Sequence, residues 1–480
     1  MFRTVGDRPA LWESLLPAEV LRLPQELARV DALLDDPAFF APFAAYFHPV
    51  LGRPSTPVEC YLRLMFLKFR YRLGYESLCA EVSDSISWRR FCRIPLDGKM
   101  PHPATLMKLT TRCGSAAVDG LNEALPAKAA GQKLLRTSRR LRADTAVVPA
   151  NVSYPTDSGL LARAVRRIAA TGRRIRAAGG ATRTRVRDRS RAAGRRAHAI
   201  AARLRSRAAQ ARDEKQAVVA RVTGELAGLA GRAAGEARRL LASARRALRR
   251  AGAKAAPLAA AGLADAAAGR LRGRLRRAVN DLAGLLEATR TVAAQARQRL
   301  AGTMPGGAAR RVSLHEPDAR PIAKGRLGKP AGFGYKAQVT DNDDGIIAGY
   351  AAGQGNPADG PQLAPAVQRV IKLTGKKPAT VTAGRSYGEQ AIEDDLHGLG
   401  VRHVVIPRKG KPGKTGQAAE RRPAFRRAVK WRTGSEGRIS TLKRGYGWDR
   451  TRLDGAEGAR TWAGHGVLAR NLVKISALAA

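Results

Sequence analysis

Residues 161 to 300 are built almost entirely from Ala, Arg, Leu and Gly, and this block constrains everything around it. It holds 35 Lys and Arg against 8 Asp and Glu, a net charge of +27. Ala, Leu and Arg are strong helix formers. Runs such as ARRLLASARRALRRAG put apolar residues on one helical stripe and arginines on the rest. The block therefore predicts long helices and no strand. A strand-like segment lies before it, Leu141 to Val148, with alternation and β-branched residues. The remaining strand-like segments all follow Pro305. One sheet built from both sides makes the block an insertion into an α/β domain.

More than half of the chain's formal charge of +48 sits in that block. Such an excess repels itself unless an anionic partner neutralises it, and nucleic acid is the usual partner, an anionic membrane the rarer one. A GC-rich genome also enriches Ala, Arg and Gly, so part of the arginine content would be solvated background. The amino-terminal stretch has early acids and no apolar core of a signal peptide. The most apolar later stretch, at 255–269, is mostly Ala and Gly and contains Asp265, too weak to span a bilayer. Cys60, Cys79, Cys92 and Cys113 form no CxxC pair, which favours buried thiols in a reduced, cytoplasmic setting over zinc.

Residues 1–130 read as helical. Thr56, Pro57 and Glu59 suggest a capped start, followed by Leu62, Met65, Phe66, Phe69 and Leu73 at helical spacing and a break at Gly74. Short helices follow near Ser77–Val82 and Ser87–Cys92, and another after Pro101. Tight turns and basic faces suit a helix-turn-helix-like DNA reader as well as an ordinary helical packing domain. After Pro305 a hairpin is expected, with strands Phe333–Thr340 and Ile346–Ala351 about an Asn-Asp-Asp-Gly turn. Asp341, Asp343 and Asp344 in that turn read as solvated. Then come a helix at Gln362–Thr374, a strand at Ala379–Ala383, a helix at Glu389–Leu399, a strand at 401–407 and a basic helical stretch at 421–448.

Two features carry chemistry. Asp144 lies inside the first strand, where an ionised acid is costly unless it binds something or faces water from an edge. Arg432, Glu436 and Lys443 are spaced four and seven residues apart on one expected helix. At about 100° per residue they share a face. A solvated salt-bridge ladder would look the same. Gly434 and Gly437 around the acid argue for a site, because glycine weakens a helix that is merely solvated.

The stretch from Trp431 to Trp462 resembles the third-acid signature of bacterial insertion-sequence transposases of the DDE type, with Arg432, Glu436 and Lys443 at the signature spacing. The Tyr that commonly opens the signature falls at Val429. The strand around Asp144 resembles the first-acid strand, and residues 50–113 resemble the family's helical amino-terminal domain. The resemblance implies an α/β, ribonuclease H-like mixed sheet with flanking helices. A helical DNA-binding domain (1–130) would precede the catalytic domain (135–160 with 306–476), and the Ala/Arg-rich insertion (161–305) would interrupt it.

It also implies Asp144 and Glu436 as catalytic, metal-holding acids. Two Mg²⁺ (or Mn²⁺) ions would lie between three carboxylates, and Arg432, Arg438, Lys443 and Arg444 would contact DNA. Where the family has Asp-x-Gly-Tyr at the second acid, this chain has Gly384-Arg385-Ser386-Tyr387, with Gly388 and Glu389 still in frame. The resemblance thus implies a transposase that binds terminal inverted repeats in double-stranded DNA as a homo-oligomer, cytoplasmic and nucleoid-associated. Its metal-dependent cleavage and strand transfer would be impaired by the lost Asp. Alternatives are a non-catalytic DNA-binding relic and a basic nucleoid-architectural protein.

Overall fold

The structure is a computed structural model that describes residues 1–5, 15–131, 139–181, 183–206, 212–260, 266–324 and 331–479. The early acids of the amino-terminal stretch, Asp7 and Glu13, and Asp265 lie outside the described residues. The chain divides into two compact units, one formed by Met1–Asn151 with Ile322–Ala480 and the other by Val152–Pro321.

The first unit is organised on a mixed sheet of six strands: β1 (Arg140–Pro149), β2 (Arg320–Ala323), β3 (Ala331–Asn342), β4 (Ile347–Gly353), β5 (Thr380–Ala383) and β6 (His403–Val405). Their order is β2-β3-β1-β5-β6, with β4 also paired to β3. β1 runs antiparallel to β3 and parallel to β5, and β5 runs parallel to β6. This is the expected mixed sheet, flanked by helices. Parallel pairing of β1 with β5 ends at Ala143 opposite Ala383, so Gly384 leaves the carboxyl end of β5 beside Asp144, which lies midway along β1. In open α/β sheets ligand crevices form at such carboxyl ends.

The amino-terminal helices share one core with the sheet. Leu64, Met65 and Phe69 of the helix Val58–Arg70 belong to the same buried cluster as Leu121, Val339, Ile347 and Trp462. At its centre is a helix the sequence reading did not anticipate, Gly455–Leu478. It is buried nearly all round, so it has no polar face to betray its periodicity.

Several local expectations are corrected. The helix Val58–Arg70 begins after Pro57 with no side-chain cap, because the Glu59 carboxylate accepts the Val5 N–H instead (3.0 Å). The basic residues of this helix that were read as a surface face turn inward. Arg63 is buried against Asp31 (2.6 Å) and Asp35 (2.7 Å), and Lys68 sits among the rings of Tyr75 and Trp462 and donates to the Leu73 carbonyl (2.8 Å). This helix is a packing element, and these two cations are not available to DNA. Two of the three hairpin acids are not solvated either. β3 runs on to Asn342, which draws Asp341 into full burial, and Asp343 is nearly buried against Arg140. Finally, the expected single helix through Arg432 and Lys443 is two: Pro423–Arg432 and Gly434–Gly445. Arg142 donates to the Trp431 carbonyl (2.6 Å), a group a continuous helix would use for itself, and the chain breaks there.

The second unit consists of the helices Asp157–Ala177, Ser190–Arg205, Arg212–Ala260 and Ala266–Leu300. Leu161, Ile168, Leu226, Leu240, Leu282 and Val292 form its core. Among the described residues of the chain, no helix is long and apolar enough to cross a membrane.

Candidate active site

The site is built on a buried ionic brace. Arg142 on β1 reaches across to β3 and donates from Nε (2.9 Å) and Nη2 (2.7 Å) to the Asp341 carboxylate, stacking its guanidinium 4.4 Å from the Trp431 ring centre. Ser435 donates to the other Asp341 oxygen (2.9 Å), and Arg438 approaches within 3.4 Å. The brace therefore clamps the helix Gly434–Gly445 to the sheet and fixes the start of the turn that carries Glu436. Gly434 is required there, since a Cβ would lie 2.2 Å from Arg142 Nη1. Gly437 is different, with nothing within 4 Å of such a Cβ.

Above the brace lies the constellation. Arg432 donates from Nη1 to Asp144 Oδ2 (3.0 Å) and from Nη2 to Glu436 Oε1 (3.4 Å), so one guanidinium joins the two acids although 292 positions separate them. Asp144 Oδ1 accepts the Thr145 N–H (2.9 Å). Burial raises the Asp144 carboxyl above its ordinary pKa; the Thr145 N–H and Arg432 oppose that shift, while the charges of Glu436 and Asp359 add to it. Gly384 belongs to the same cluster: a Cβ built on it would lie 3.7 Å from Arg432 Nη1, ordinary contact distance. Its backbone, φ −70° and ψ 164°, is open to any residue. Among the described non-glycine residues only Arg72, Arg93 and Ala181 have positive φ, so Ser386 needs no glycine-like conformation. Tyr387 is buried beneath, its hydroxyl accepting from Gln338 Nε2 (3.1 Å).

A cavity of about 720 Å³ opens beside these groups. Asp144, Glu436, Lys443 and Arg444 line it, as do Lys336 and Asp359. Arg438, expected as a DNA contact, does not line the cavity; it lies against Asp341 and the Gly345 turn. Asp359 was not singled out from the sequence. It is mostly buried, pairs with Lys336 (2.6 Å) and precedes a Gly-Pro helix start, a context that reads as a cap or turn.

The donor set does not fit two divalent ions as it stands. Among the described residues no three His, Cys, Asp or Glu side chains gather closely enough to hold a metal. Asp144 and Glu436 instead share a guanidinium, and Asp359 is neutralised by Lys336. The four cysteines are buried and free; burial pushes the Cys60 and Cys113 thiols up to about 12.

A mixed sheet assembled from both sides of a long helical block, with an acid on its central strand tied through Arg432 to an acid on a later helix, defines an α/β protein with a two-acid site. The comparisons name the family. Residues 17–112 match a family described as "Transposase domain (DUF772)", and residues 309–472 match "Transposase DDE domain". The chain belongs to the DDE transposases of insertion sequences. It is also similar to a protein of Rhizobium meliloti named "Uncharacterized protein ORF8 in nfe locus", at 27% identity over 153 residues, 29% of this chain and 70% of that protein. No solved structure matches.

Proposed function

We propose that this transposase binds the ends of its insertion sequence in double-stranded DNA and acts there through Asp144 and Glu436, with position 384 as the site of a lost third carboxylate. The observation that carries the reading is the adjacency of Asp144 and Gly384 just past the last β1–β5 pair, with Arg432 touching Asp144, Glu436 and the space beside Gly384. Lys443 and Arg444 on the cavity rim are the DNA-phosphate contacts of this reading, and Arg432 is the counter-ion of the acids. Enzymes of this family use divalent ions, and the residues present here do not complete such a site. The chain as it stands is therefore a binder of ends and a poor nuclease. DNA joining would take place in a homo-oligomer holding two ends.

The test is nicking of end-containing duplex in Mg²⁺ or Mn²⁺ by the wild-type chain and by Gly384→Asp. A third carboxylate adds a hard oxygen ligand and a negative charge, and it fits the backbone without strain. A gain on the order of a thousandfold is expected, about 4 kcal/mol at about 1.4 kcal/mol per decade. Equal rates for the two proteins would overturn the assignment of position 384. Ser386→Gly is expected to add little, since Ser386 lies in ordinary backbone.

A further inference from the structure

The second unit carries a cleft that the site above does not use. On the helix Asp157–Ala177, Arg163, Arg166 and Arg167 lie three and four residues apart and share one side. Ser153 before the helix and His315 after the long helices complete the rim, over a floor of Leu160, Val312 and Leu314, around a volume of about 140 Å³. Arg163 is held in place, donating from Nη1 to Ser153 Oγ (2.5 Å) and from Nε to the Gly159 carbonyl (3.2 Å). Arg166 and Arg167 are exposed, and neither has a carboxylate partner among the described residues.

Other arginines of the same unit, Arg245 and Arg246 among them, also have no carboxylate partner among the described residues, but these three border a cleft. Arg173, Arg174, Arg189 and Arg196 are each paired, with Asp188, Asp281, Glu236 and Glu225. The acids close in sequence to the cleft are engaged or inward: Asp157 pairs with Arg299 (3.0 Å), and Glu316 is fully buried. Three guanidiniums around one small cleft repel one another unless an anion sits between them. Their planar forks match the oxygens of a phosphate. A serine hydroxyl on the same rim supplies a neutral donor.

We infer that this cleft is a phosphate seat that takes one backbone phosphate of a nucleic acid. The inference rests on the DNA-partner part of the proposed function and is independent of its catalytic part.

The test uses the full chain and a labelled duplex of arbitrary sequence, with binding followed by anisotropy across a NaCl series. Arg166→Ala/Arg167→Ala is compared with Arg245→Ala/Arg246→Ala, an exposed pair on the helix Arg212–Ala260 outside the cleft. A built seat predicts that the cleft pair loses about 0.9 in the slope of log K against log salt for each phosphate released, clearly more than the control pair. Equal losses overturn the seat. A second arm adds inorganic phosphate at fixed ionic strength. Displacement of duplex from wild type but not from the cleft variant identifies a seat that accepts free phosphate; no displacement, with the slope still reduced, identifies one that needs the backbone.

Should the double variant unfold by circular dichroism, Arg163→Lys replaces it, keeping the charge and losing the fork. Weaker duplex binding by at least severalfold is then expected, and unchanged binding overturns the proposal. If wild type binds no duplex at low salt, the DNA-partner reading fails. Calorimetric titration with inorganic phosphate then judges the cleft by itself, and absence of heat overturns it.

Discussion

At the scale of single residues, the buried pairs govern what a substitution costs. Asp341→Ala leaves Arg142 buried without its carboxylate and removes the Ser435 bond. Breaking such a pair costs about 3–5 kcal/mol, and a loss of unfolding free energy of that size is expected, read as a lower urea midpoint. His465 gives a pH signature. It is fully packed between Phe69 and Tyr61, and burial first, then the charge of Lys68, pulls its pKa down to about 3. The unfolded chain protonates this histidine near its ordinary 6.5 while the native chain does not. Its contribution is thus complete above pH 6.5 and lost as pH falls toward 3, at roughly 1.4 kcal/mol per unit. Urea unfolding between pH 6.5 and 5 should show that slope, and His465→Leu should flatten it. Asp144 was legible from the sequence because an acid inside a strand demands a partner. Asp341 was misread, since turn chemistry in Asn-Asp-Asp-Gly looks the same whether the preceding strand stops early or runs on into the core.

At the scale of elements, the expected closing helix shows how far periodicity reaches. Arg432 and Glu436 do meet across a four-residue spacing, yet the helix between them is broken by Arg142, a residue almost three hundred positions earlier. No local pattern encodes that intrusion. Glycine was a half-correct signal. Gly434 exists for the intruding guanidinium, and Gly437 has no such duty. Gly434→Ala should therefore destabilise by about 1–3 kcal/mol through overpacking. Gly437→Ala should stabilise by about 0.5–1 kcal/mol through helix propensity. Thermal melts of the two variants moving in opposite directions would confirm the division; movement in the same direction would refute it. The strands β1, β3, β4 and β5 fall within a few residues of where alternation and turn residues predicted them. The helix Gly455–Leu478 escaped because burial on all sides erases the polar face that sequence reading depends on.

At the scale of the whole molecule, charge and chemistry are carried by different parts of the chain. The sheet, the two acids and the brace belong to the first unit, and the block of net +27 belongs to the second. Replacing residues 152–321 by a short Gly/Ser linker should lower the salt slope of non-specific DNA binding by several units of phosphate contact, at about 0.9 each. A slope that stays the same would make the arginines compositional background. The mixed sheet and its interruption were legible because a block that favours helix so strongly cannot supply strands. The core shared by amino-terminal helices, hairpin and last helix was not, because it depends on contacts among segments hundreds of residues apart.

The open space and relaxed backbone at Gly384 have an evolutionary meaning. A glycine codon can become an aspartate codon by a single base change, and neither residue disturbs the surrounding packing at this position. Selection for folding cannot tell the two alleles apart; only selection on mobility can. On the function proposed above, a copy with glycine at this position would keep its fold while losing cleavage, and Gly384→Asp would restore cleavage without any repair of the scaffold.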